Sequence, residues 1–272
     1  MKKIKSIVPI GLWVHKNQVE AVWLEKPQWA RNKTTINPPP EPHFATIPLM
    51  PQVTLANRII REMTIYLKPH KTDLLFISGV LPNNVWERSL IIPQKLSEQE
   101  CQQQCEYLLA KELPIPLENV WFDYHATTLK QGTLLQMNAV LIEKAQEHMK
   151  QFAPLKIRVL DSVSHALDRA FNYLEPDLPK ETLYLYADDN YAIAFQEKGI
   201  DFNVLQTSDT NLTALYEQFC ERYKVEPEIV CTYLRDKNLE QSREFEKRQW
   251  KQCNTDLPMI ALGLALWHLS FS

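Results

Sequence analysis

Glycine is scarce in this chain, with five glycines among 272 residues. Nucleotide-binding loops depend on glycine, because only a residue without a Cβ lets several backbone amides approach a phosphate closely. The sequence contains neither a G-x-x-x-x-G-K-[ST] loop nor a G-x-S-x-G nucleophile turn. It therefore provides no support for P-loop phosphate chemistry or for a serine nucleophile of the α/β-hydrolase type.

The chain also lacks an excess of positive charge. Its 30 lysines and arginines are outnumbered by 33 aspartates and glutamates, and its formal net charge is -3. Affinity for the nucleic acid backbone comes mainly from clustered cations. We therefore expect no direct nucleic-acid partner.

Cysteines and long apolar runs are limited as well. Five cysteines, an odd number in a chain of this length, do not provide a disulfide framework, which indicates a reducing compartment. The most apolar stretch, LPMIALGLALWHLSFS from Leu257, is shorter than the roughly 20 residues that a helix needs to span lipid, so we predict a buried helix. We expect a cytoplasmic protein that does not insert into a membrane and reaches one only through a partner.

The most informative segment runs from Ser89 to Tyr124 and reads SLIIPQKLSEQECQQQCEYLLAKELPIPLENVWFDY. An aliphatic strand ends at Pro93, which has no amide hydrogen to continue a ladder. Ser97 lies three residues before Glu100, the spacing of a capping box, in which each side chain accepts a hydrogen bond from the backbone amide of the other residue. The segment therefore predicts a strand, a capped helix, a proline corner and a second strand.

Similar patterns recur along the chain. Short apolar runs predict strands near residues 4–10, 19–24, 74–80, 120–128, 134–142, 157–160, 183–186, 191–195, 202–205 and 229–232. Apolar residues at helical spacing predict helices near 55–67, 143–152, 163–174 and 212–223. We interpret the proline-rich residues 32–52 as an extended surface connector and the charged residues 239–252 as a solvated segment. Mixed strands and helices in two similar halves indicate an α/β protein.

The order of elements after Ser89 resembles the PilM family, the actin-like cytoplasmic component of type IV pilus machines, and most closely its competence-associated relatives ComA and HofM. In that family a serine-capped helix leads to an E-x-x-I-P corner and then to a D-Y pair at the start of a strand. The corner here is ELPIP from Glu112, and the pair is Asp123 and Tyr124. The likeness covers most of the chain.

The resemblance implies an α/β, two-lobed actin-like fold of the FtsA/PilM type. Residues 1–85 and 153–180 would form the core of lobe 1, residues 86–152 a small inserted subdomain, and residues 181–272 lobe 2. Too few residues lie between Phe202 and Ile229 for the usual outer subdomain of lobe 2. We therefore expect that subdomain to be trimmed.

The resemblance also locates the loops that hold a nucleotide in this family. Its first phosphate loop reads GIDIGSSSVKAV, and the corresponding stretch here, GLWVHKNQVEAV, begins at Gly11. Trp13 replaces the aspartate and His15 replaces the second glycine. The second phosphate loop falls near Ala187 and the adenosine-side loop follows residues 229–231, and neither contains a glycine. We therefore expect no cofactor, with ATP binding lost or weak, and no enzymatic activity.

Other candidate sites have little support. Asp188 and Asp189 are adjacent carboxylates that could act as a base or bind a metal, but we expect them in a turn. Cys101 and Cys105 are one helical turn apart and could supply two thiolates, yet a core location is favoured because no further ligand is near them in the sequence. The seven histidines form no H-E-x-x-H motif. We predict no catalytic and no metal-binding residues.

By resemblance, the chain is a non-enzymatic adaptor of a type IV pilus or competence machine that binds the N-terminal cytoplasmic segment of a PilN-like bitopic inner-membrane protein. Other pilus assembly components and a second copy of the chain are further candidate partners. Main-chain hydrogen bonds and apolar pockets commonly hold such a segment. Each candidate contact residue has a core location as its alternative; the candidates are Tyr107, Leu113, Pro114, Ile115, Trp121 and Tyr124.

Two alternative functions stay open on the sequence. An actin-fold ATPase with a degenerate but still nucleotide-binding site would be stabilised by Mg-ATP, because a ligand that binds only the folded state stabilises it. A DNA-binding competence protein would retain DNA in a salt-sensitive way, which the acidic balance of charge disfavours.

Overall fold

The computed structural model describes residues 6–25, 41–49, 55–64, 72–235 and 250–267. Contacts divide the chain into two units. The first unit takes the described residues within 1–80, 147–176 and 255–272, and the second takes those within 81–146 and 177–254.

Thirteen strands, six α-helices and two short 3-10 helices, Pro82–Asn84 and Leu117–Asn119, occur in the described residues. The strands are β1 (Ser6–His15), β2 (Gln18–Glu25), β3 (Glu41–Pro48), β4 (Thr72–Val80), β5 (Val85–Ile92), β6 (Val120–Leu129), β7 (Gly132–Leu141), β8 (Val159–Ser162), β9 (Leu183–Ala187), β10 (Ala192–Lys198), β11 (Asp201–Thr207), β12 (Val230–Leu234) and β13 (Lys251–Gln252). The α-helices are α1 (Leu55–Thr64), α2 (Glu98–Glu112), α3 (Ile142–Lys150), α4 (Val163–Leu174), α5 (Leu212–Tyr223) and α6 (Met259–Ala265).

The first unit is built on a five-stranded sheet in the order β3-β2-β1-β4-β8. β1 is antiparallel to β2 and parallel to β4. Ile10 and Leu12 are fully buried in a core that includes Ile59 of α1. Gly11 alternates with them and meets α6 on the opposite face. The central strand is therefore apolar on both faces, because a helix covers each of them.

Part of the proline-rich segment is a strand, and there the prediction of a surface connector is wrong. Glu41–Pro48 pairs antiparallel with β2 and forms one edge of the sheet. An edge strand pairs on one side only. Pro42 and Pro48, which have no amide hydrogen, can therefore occupy positions where that hydrogen would point away from the neighbouring strand. Residues 32–40 and 50–52 of the predicted connector lie outside the described residues.

Two glycines let α6 approach the backbone of its neighbours. A Cβ added to Gly11 would lie 1.9 Å from the carbonyl oxygen of Ala261 in α6. A Cβ added to Gly263 would lie 1.7 Å from the carbonyl oxygen of Ala166 in α4. These distances confirm the predicted close packing at Gly263 and the predicted burial of the helix, since Met259–Ala265 is buried throughout.

A polar contact also joins α4 to α6. Arg169 donates from Nε to the carbonyl oxygen of Gly263 at 3.0 Å, and its guanidinium forms an ion pair with Asp161. The same arginine therefore links the end of β8, α4 and α6, next to the point where Gly263 allows the two helices to meet.

The larger sheet of the second unit repeats the topology of the first. Its order is β11-β10-β9-β12-β13, with two antiparallel pairs followed by two parallel pairs. Residues 208–229 contain α5 and no other helix or strand, so this unit has the trimmed form that was predicted. Of the predicted solvated segment, residues 239–249 lie outside the described residues, whereas Lys251–Gln252 is a short strand.

A three-stranded antiparallel sheet in the order β5-β7-β6 completes the second unit. Helix α2 covers one face of it with Cys101, Cys105 and Leu109. The predicted capping box begins this helix: the Ser97 amide donates to Glu100 Oε2 at 2.8 Å, and the Glu100 amide donates to Ser97 Oγ at 3.4 Å.

The two units differ from the predicted lobes in two respects. Residues 255–267 belong to the first unit, although residues 181–272 were assigned to lobe 2. The apolar α6 lies there because it packs on β1, β2, β4 and α4. Residues 81–146 belong to the second unit, although in chain order they interrupt the first unit between β4 and β8.

We expect Gly263→Ala to destabilise the protein. Alanine has the better helix propensity by about 1 kcal/mol, but its Cβ would collide with the Ala166 carbonyl, and overpacking of this kind costs about 3 kcal/mol. Urea unfolding should therefore show a net loss of about 2 kcal/mol. Gly199→Ala is the control: a Cβ there meets nothing within 4 Å, and the loss from its positive φ should be about 1 kcal/mol. Equal stability of Gly263→Ala and wild type would contradict the close contact.

Candidate functional site

The stretch that corresponds to the first phosphate loop lies mostly within a strand. Gly11, Trp13 and His15 all belong to β1, and only Lys16 and Asn17 turn the chain into β2. The predicted loop around the first three residues is therefore wrong. The ladder continues to the pair His15 and Gln18, because apolar residues run without a break from Val8 to Val14, as in a strand that is covered on both faces.

Trp13, which replaces the expected aspartate, is buried beside a histidine. Its side chain is 6% exposed, and its ring centroid lies 6.3 Å from that of His148 in α3. His148 shares a 2.8 Å hydrogen bond between its Nε2 and Ser78 Oγ, and burial lowers the pKa of its imidazole. An aromatic contact thus occupies a position that needs a carboxylate to organise a metal ion.

Ser78 and His148 form a serine–histidine pair that the sequence did not predict. The two residues are 70 positions apart, and no motif marks either of them. Ser78 is fully buried, and its hydroxyl donates to the Leu12 carbonyl at 3.1 Å. A nucleophile would instead direct that proton to the imidazole. The geometry supports a structural link between α3 and the β1–β4 pair.

The second predicted loop is a tight turn between β9 and β10. Ala187 ends β9 and is fully buried. The Asp188 amide donates to the Tyr191 carbonyl at 3.0 Å, and Asp188 Oδ1 accepts from the Asn190 amide at 2.9 Å. Asp188 and Asp189 are thus in a turn, as predicted, and the first of them uses its carboxylate to hold that turn.

The third predicted loop is strand in its first part. β12 continues to Leu234, so Thr232, Tyr233 and Leu234 lie in the ladder beside β9 where the family has a glycine pair. The ring of Tyr233 stacks on that of Tyr186, with centroids 5.6 Å apart and planes 8° from parallel. Burial, and then the charge of Asp188, raises the pKa of Tyr186 well above its usual value. Bulky aromatic residues therefore fill the space beside the second and third loop positions.

Cys101 and Cys105 are core residues, as favoured by the sequence. Both are buried beneath the three-stranded sheet with Leu135 and Met137. Burial raises the pKa of both thiols, and that of Cys105 reaches about 11. Within the described ranges, no group of three or more histidine, cysteine, aspartate or glutamate residues could hold a metal ion.

The six candidate contact residues do not form one surface. Three are exposed: Tyr107 on α2 (62% exposed), Pro114 in the proline corner, and Trp121 on β6 (42% exposed). Leu113 and Ile115 instead pack on the core cluster that contains Leu109 and Val120. The six residues were grouped because they are close in the sequence, but their side chains lie in different environments.

Tyr124 differs from Trp121 although both lie on β6. Residues three apart on a strand point to opposite faces, so Tyr124 faces α2 and Trp121 faces away from it. Tyr124 packs on the core cluster of Cys101 and donates its hydroxyl to the Glu98 carbonyl at 3.1 Å.

Comparison with protein-family models and with curated protein sequences finds no match. Solved structures do match. A chain of a PilM-PilN type IV pilus biogenesis complex superposes with a TM-score of 0.60 at 15% sequence identity, over 98% of this chain and 99% of that chain. The cytoplasmic domain of EpsL, an inner membrane component of the type II secretion system of Vibrio cholerae, matches with a TM-score of 0.52 at 11% identity, over 98% and 96% of the two chains.

A third match decides the fold. A Bacteroides thetaiotaomicron protein with an actin-like ATPase fold and unknown function superposes with a TM-score of 0.50 at 12% identity, over 95% of each chain. The chain has the actin-like ATPase fold. The two five-stranded sheets of equal topology are the repeated cores of this actin-like chain. No described helix is long and apolar enough to cross a membrane.

His148 should make the stability of this actin-like chain depend on pH. Burial lowers its pKa in the folded state, so the unfolded chain binds a proton more readily. The stabilisation is present above the unfolded pKa of about 6.5 and is lost as the pH falls through the folded pKa. Urea unfolding between pH 7.5 and 5 should show a smaller loss of stability in His148→Gln than in wild type. His125→Gln, at an exposed residue, is the control and should follow wild type; a His148→Gln curve parallel to wild type would refute the assignment.

The cysteines of α2 should resist alkylation in the folded protein. The thiolate is the reactive form, and burial raises the pKa of Cys105 to about 11. Iodoacetamide at pH 8 followed by mass spectrometry should leave Cys101 and Cys105 unmodified in buffer and modify both in 8 M urea. Rapid labelling of either in buffer would show that α2 opens readily.

Proposed function

We propose that this chain is a non-enzymatic adaptor of a type IV pilus or related secretion machine, located at the cytoplasmic side of the inner membrane through a partner. The observation that carries the proposal is the match to a chain of a PilM-PilN complex over 98% of this chain and 99% of that one. The match to the cytoplasmic domain of EpsL extends it to a second machine of the inner membrane.

The proposed partner is a PilN-like bitopic membrane protein whose N-terminal cytoplasmic segment binds in an extended form. The exposed candidates Tyr107, Pro114 and Trp121 are the proposed contacts, because large exposed apolar side chains supply binding energy when a partner covers them. Leu113, Ile115 and Tyr124 pack on the core clusters, so they are not proposed as direct contacts. We further propose that the machine is one that takes up DNA during competence.

The proposed absence of nucleotide chemistry rests on what occupies the three loop positions. The first carries Trp13 against His148, the second a turn held by the Asp188 carboxylate, and the third a continuous strand. Phosphate binding at such positions needs backbone amides that no Cβ shields. An adaptor needs none of these features, since its affinity comes from the surface that it offers.

Calorimetric titration tests the adaptor directly. We expect the N-terminal cytoplasmic peptide of the bitopic membrane protein encoded beside this chain to bind with the same Kd with and without Mg-ATP. Trp121→Ala and Tyr107→Ala should weaken binding about tenfold each and leave Tm unchanged, because both side chains are exposed. Ile200→Ala, at an exposed apolar side chain on the turn before β11, is the matched control and should bind as wild type.

Failure of that titration would have distinct meanings. Absence of peptide binding to the folded protein would reject the PilN-like partner. Binding that requires Mg-ATP would support an actin-fold ATPase with a degenerate site, the second candidate function.

Thermal unfolding with Mg-ATP tests this second candidate separately. A site filled at about 100 times its Kd would add about 2.7 kcal/mol to the stability of the folded state. We expect no shift of Tm at millimolar Mg-ATP. A dose-dependent rise in Tm would reject the proposed loss of nucleotide binding.

A further inference from the structure

The outer edge of β6 has backbone groups that no other strand uses. In the described chain, β6 is the terminal strand of the sheet β5-β7-β6. A two-residue turn, Lys130 and Gln131, joins it to β7, with Leu129 opposite Gly132. The pair that flanks such a turn is hydrogen-bonded, and hydrogen-bonded pairs then alternate with non-bonded pairs.

The register shows which amides point outward. Ala126 opposite Leu135 and Thr128 opposite Thr133 fall in the non-bonded class, so their N–H and C=O groups face away from β7. No loop, turn or cap hydrogen bond of the described residues uses the backbone of either residue. Both residues are exposed. The equivalent amide of Tyr124 donates to its neighbour Asp123 Oδ1 at 2.8 Å, a local contact that a better acceptor could replace.

A groove runs along this edge on the side that faces α2. It has a volume of about 480 Å³, and its lining includes Tyr124, Ala126 and Thr128 of β6 together with Leu96, Glu98 and Cys101 at the start of α2. The hydrogen bond from the Tyr124 hydroxyl to the Glu98 carbonyl holds the start of the helix at a fixed distance from the strand. The groove is thus part of one folded unit.

The charge of the groove is negative. Its charged lining residues are Glu98 and Asp123. Glu100 lies two residues after Glu98 in α2. Hydrogen bonds from the amide and the hydroxyl of Ser97 lower the pKa of Glu100 and keep its carboxylate ionised. Burial is the main cause that raises the pKa of the Tyr124 hydroxyl, and the nearby Glu98 adds to it. A second copy of β6 would bring the same carboxylates together, so self-pairing is disfavoured.

We propose that the free edge of β6 binds an extended segment of a partner protein that carries lysine or arginine at every second residue. The segment adds a fourth strand to the sheet through the amides and carbonyls of Ala126 and Thr128. Alternate side chains of a strand share one face, so its cations enter the groove and meet Glu98, while Asp123 adds negative charge at the edge itself. This inference goes beyond the proposed adaptor role, because it requires no pilus partner and uses only Tyr124 of the six predicted contacts.

Two model peptides test the mode of binding. The probes are the capped nonapeptide KTKVKTKVK and its acidic counterpart ETEVETEVE, each titrated calorimetrically at low salt. We expect the basic peptide to bind at least tenfold more tightly than the acidic one. Hydrogen exchange should show slower exchange of the Ala126 and Thr128 amides on binding, because these donors become paired.

Variants of the chain separate backbone pairing from charge attraction. Ala126→Pro removes an outward donor that the β6–β7 ladder does not use, so the fold is retained and binding of the basic peptide should weaken at least tenfold. Glu98→Lys should weaken the basic peptide about fivefold and strengthen the acidic one. Thr127→Ala is the matched control on the opposite face and should leave both Kd values unchanged.

A peptide N-methylated at every second residue gives the same test without changing the protein, and it should not bind. Binding that survives both Ala126→Pro and N-methylation, or equal affinity for the acidic peptide, would overturn the proposal. A dimer of the free protein that Ala126→Pro abolishes would also overturn it in favour of a second copy. The N-terminal peptide of the bitopic membrane protein separates this proposal from the adaptor role. If that peptide binds Ala126→Pro with wild-type affinity, the adaptor role stands and its partner binds at a place other than the edge of β6.

Discussion

The fold depends on the close approach of α6 to the backbone of β1 and α4. Helix and strand meet at Gly11, and the two helices meet at Gly263, where any side chain would overlap a carbonyl oxygen. Arg169 adds an ion pair and a hydrogen bond at the same crossing. Because α6 comes near the end of the chain while β1 is near its start, this contact closes the first unit and leaves both faces of its central sheet covered.

The same contact explains how glycine is used in a chain that has little of it. Actin-like nucleotide sites place glycine where a phosphate approaches the backbone. Here Gly11 and Gly263 serve the approach of one backbone to another. Trp13 and the tyrosine pair Tyr186 and Tyr233 are large side chains at or beside the loop positions, and all three are buried there. In this actin-like fold, the glycines and the large side chains at these positions thus take part in core packing.

The two sheets and the small sheet have different roles in this arrangement. Two five-stranded sheets of equal topology are covered by helices and supply most of the buried core. The three-stranded sheet has a helix, α2, on one face, and its strand β6 ends the sheet with unpaired backbone groups. Exposed edges and exposed aromatic side chains such as Trp121 often mark interaction surfaces, and both proposed partner surfaces therefore involve this small sheet and its helix.

Local sequence alone determined several features of this protein. The spacing of Ser97 and Glu100 specified the start of α2, and adjacent aspartates specified the turn at Asp188, because each depends on residues at most a few positions apart. Tertiary structure decided the packing role of Gly11 and the Trp13–His148 contact, since both require partners over a hundred residues away. It also decided which face of β6 is covered: α2 packs over Tyr124, whereas Trp121 on the other face stays exposed.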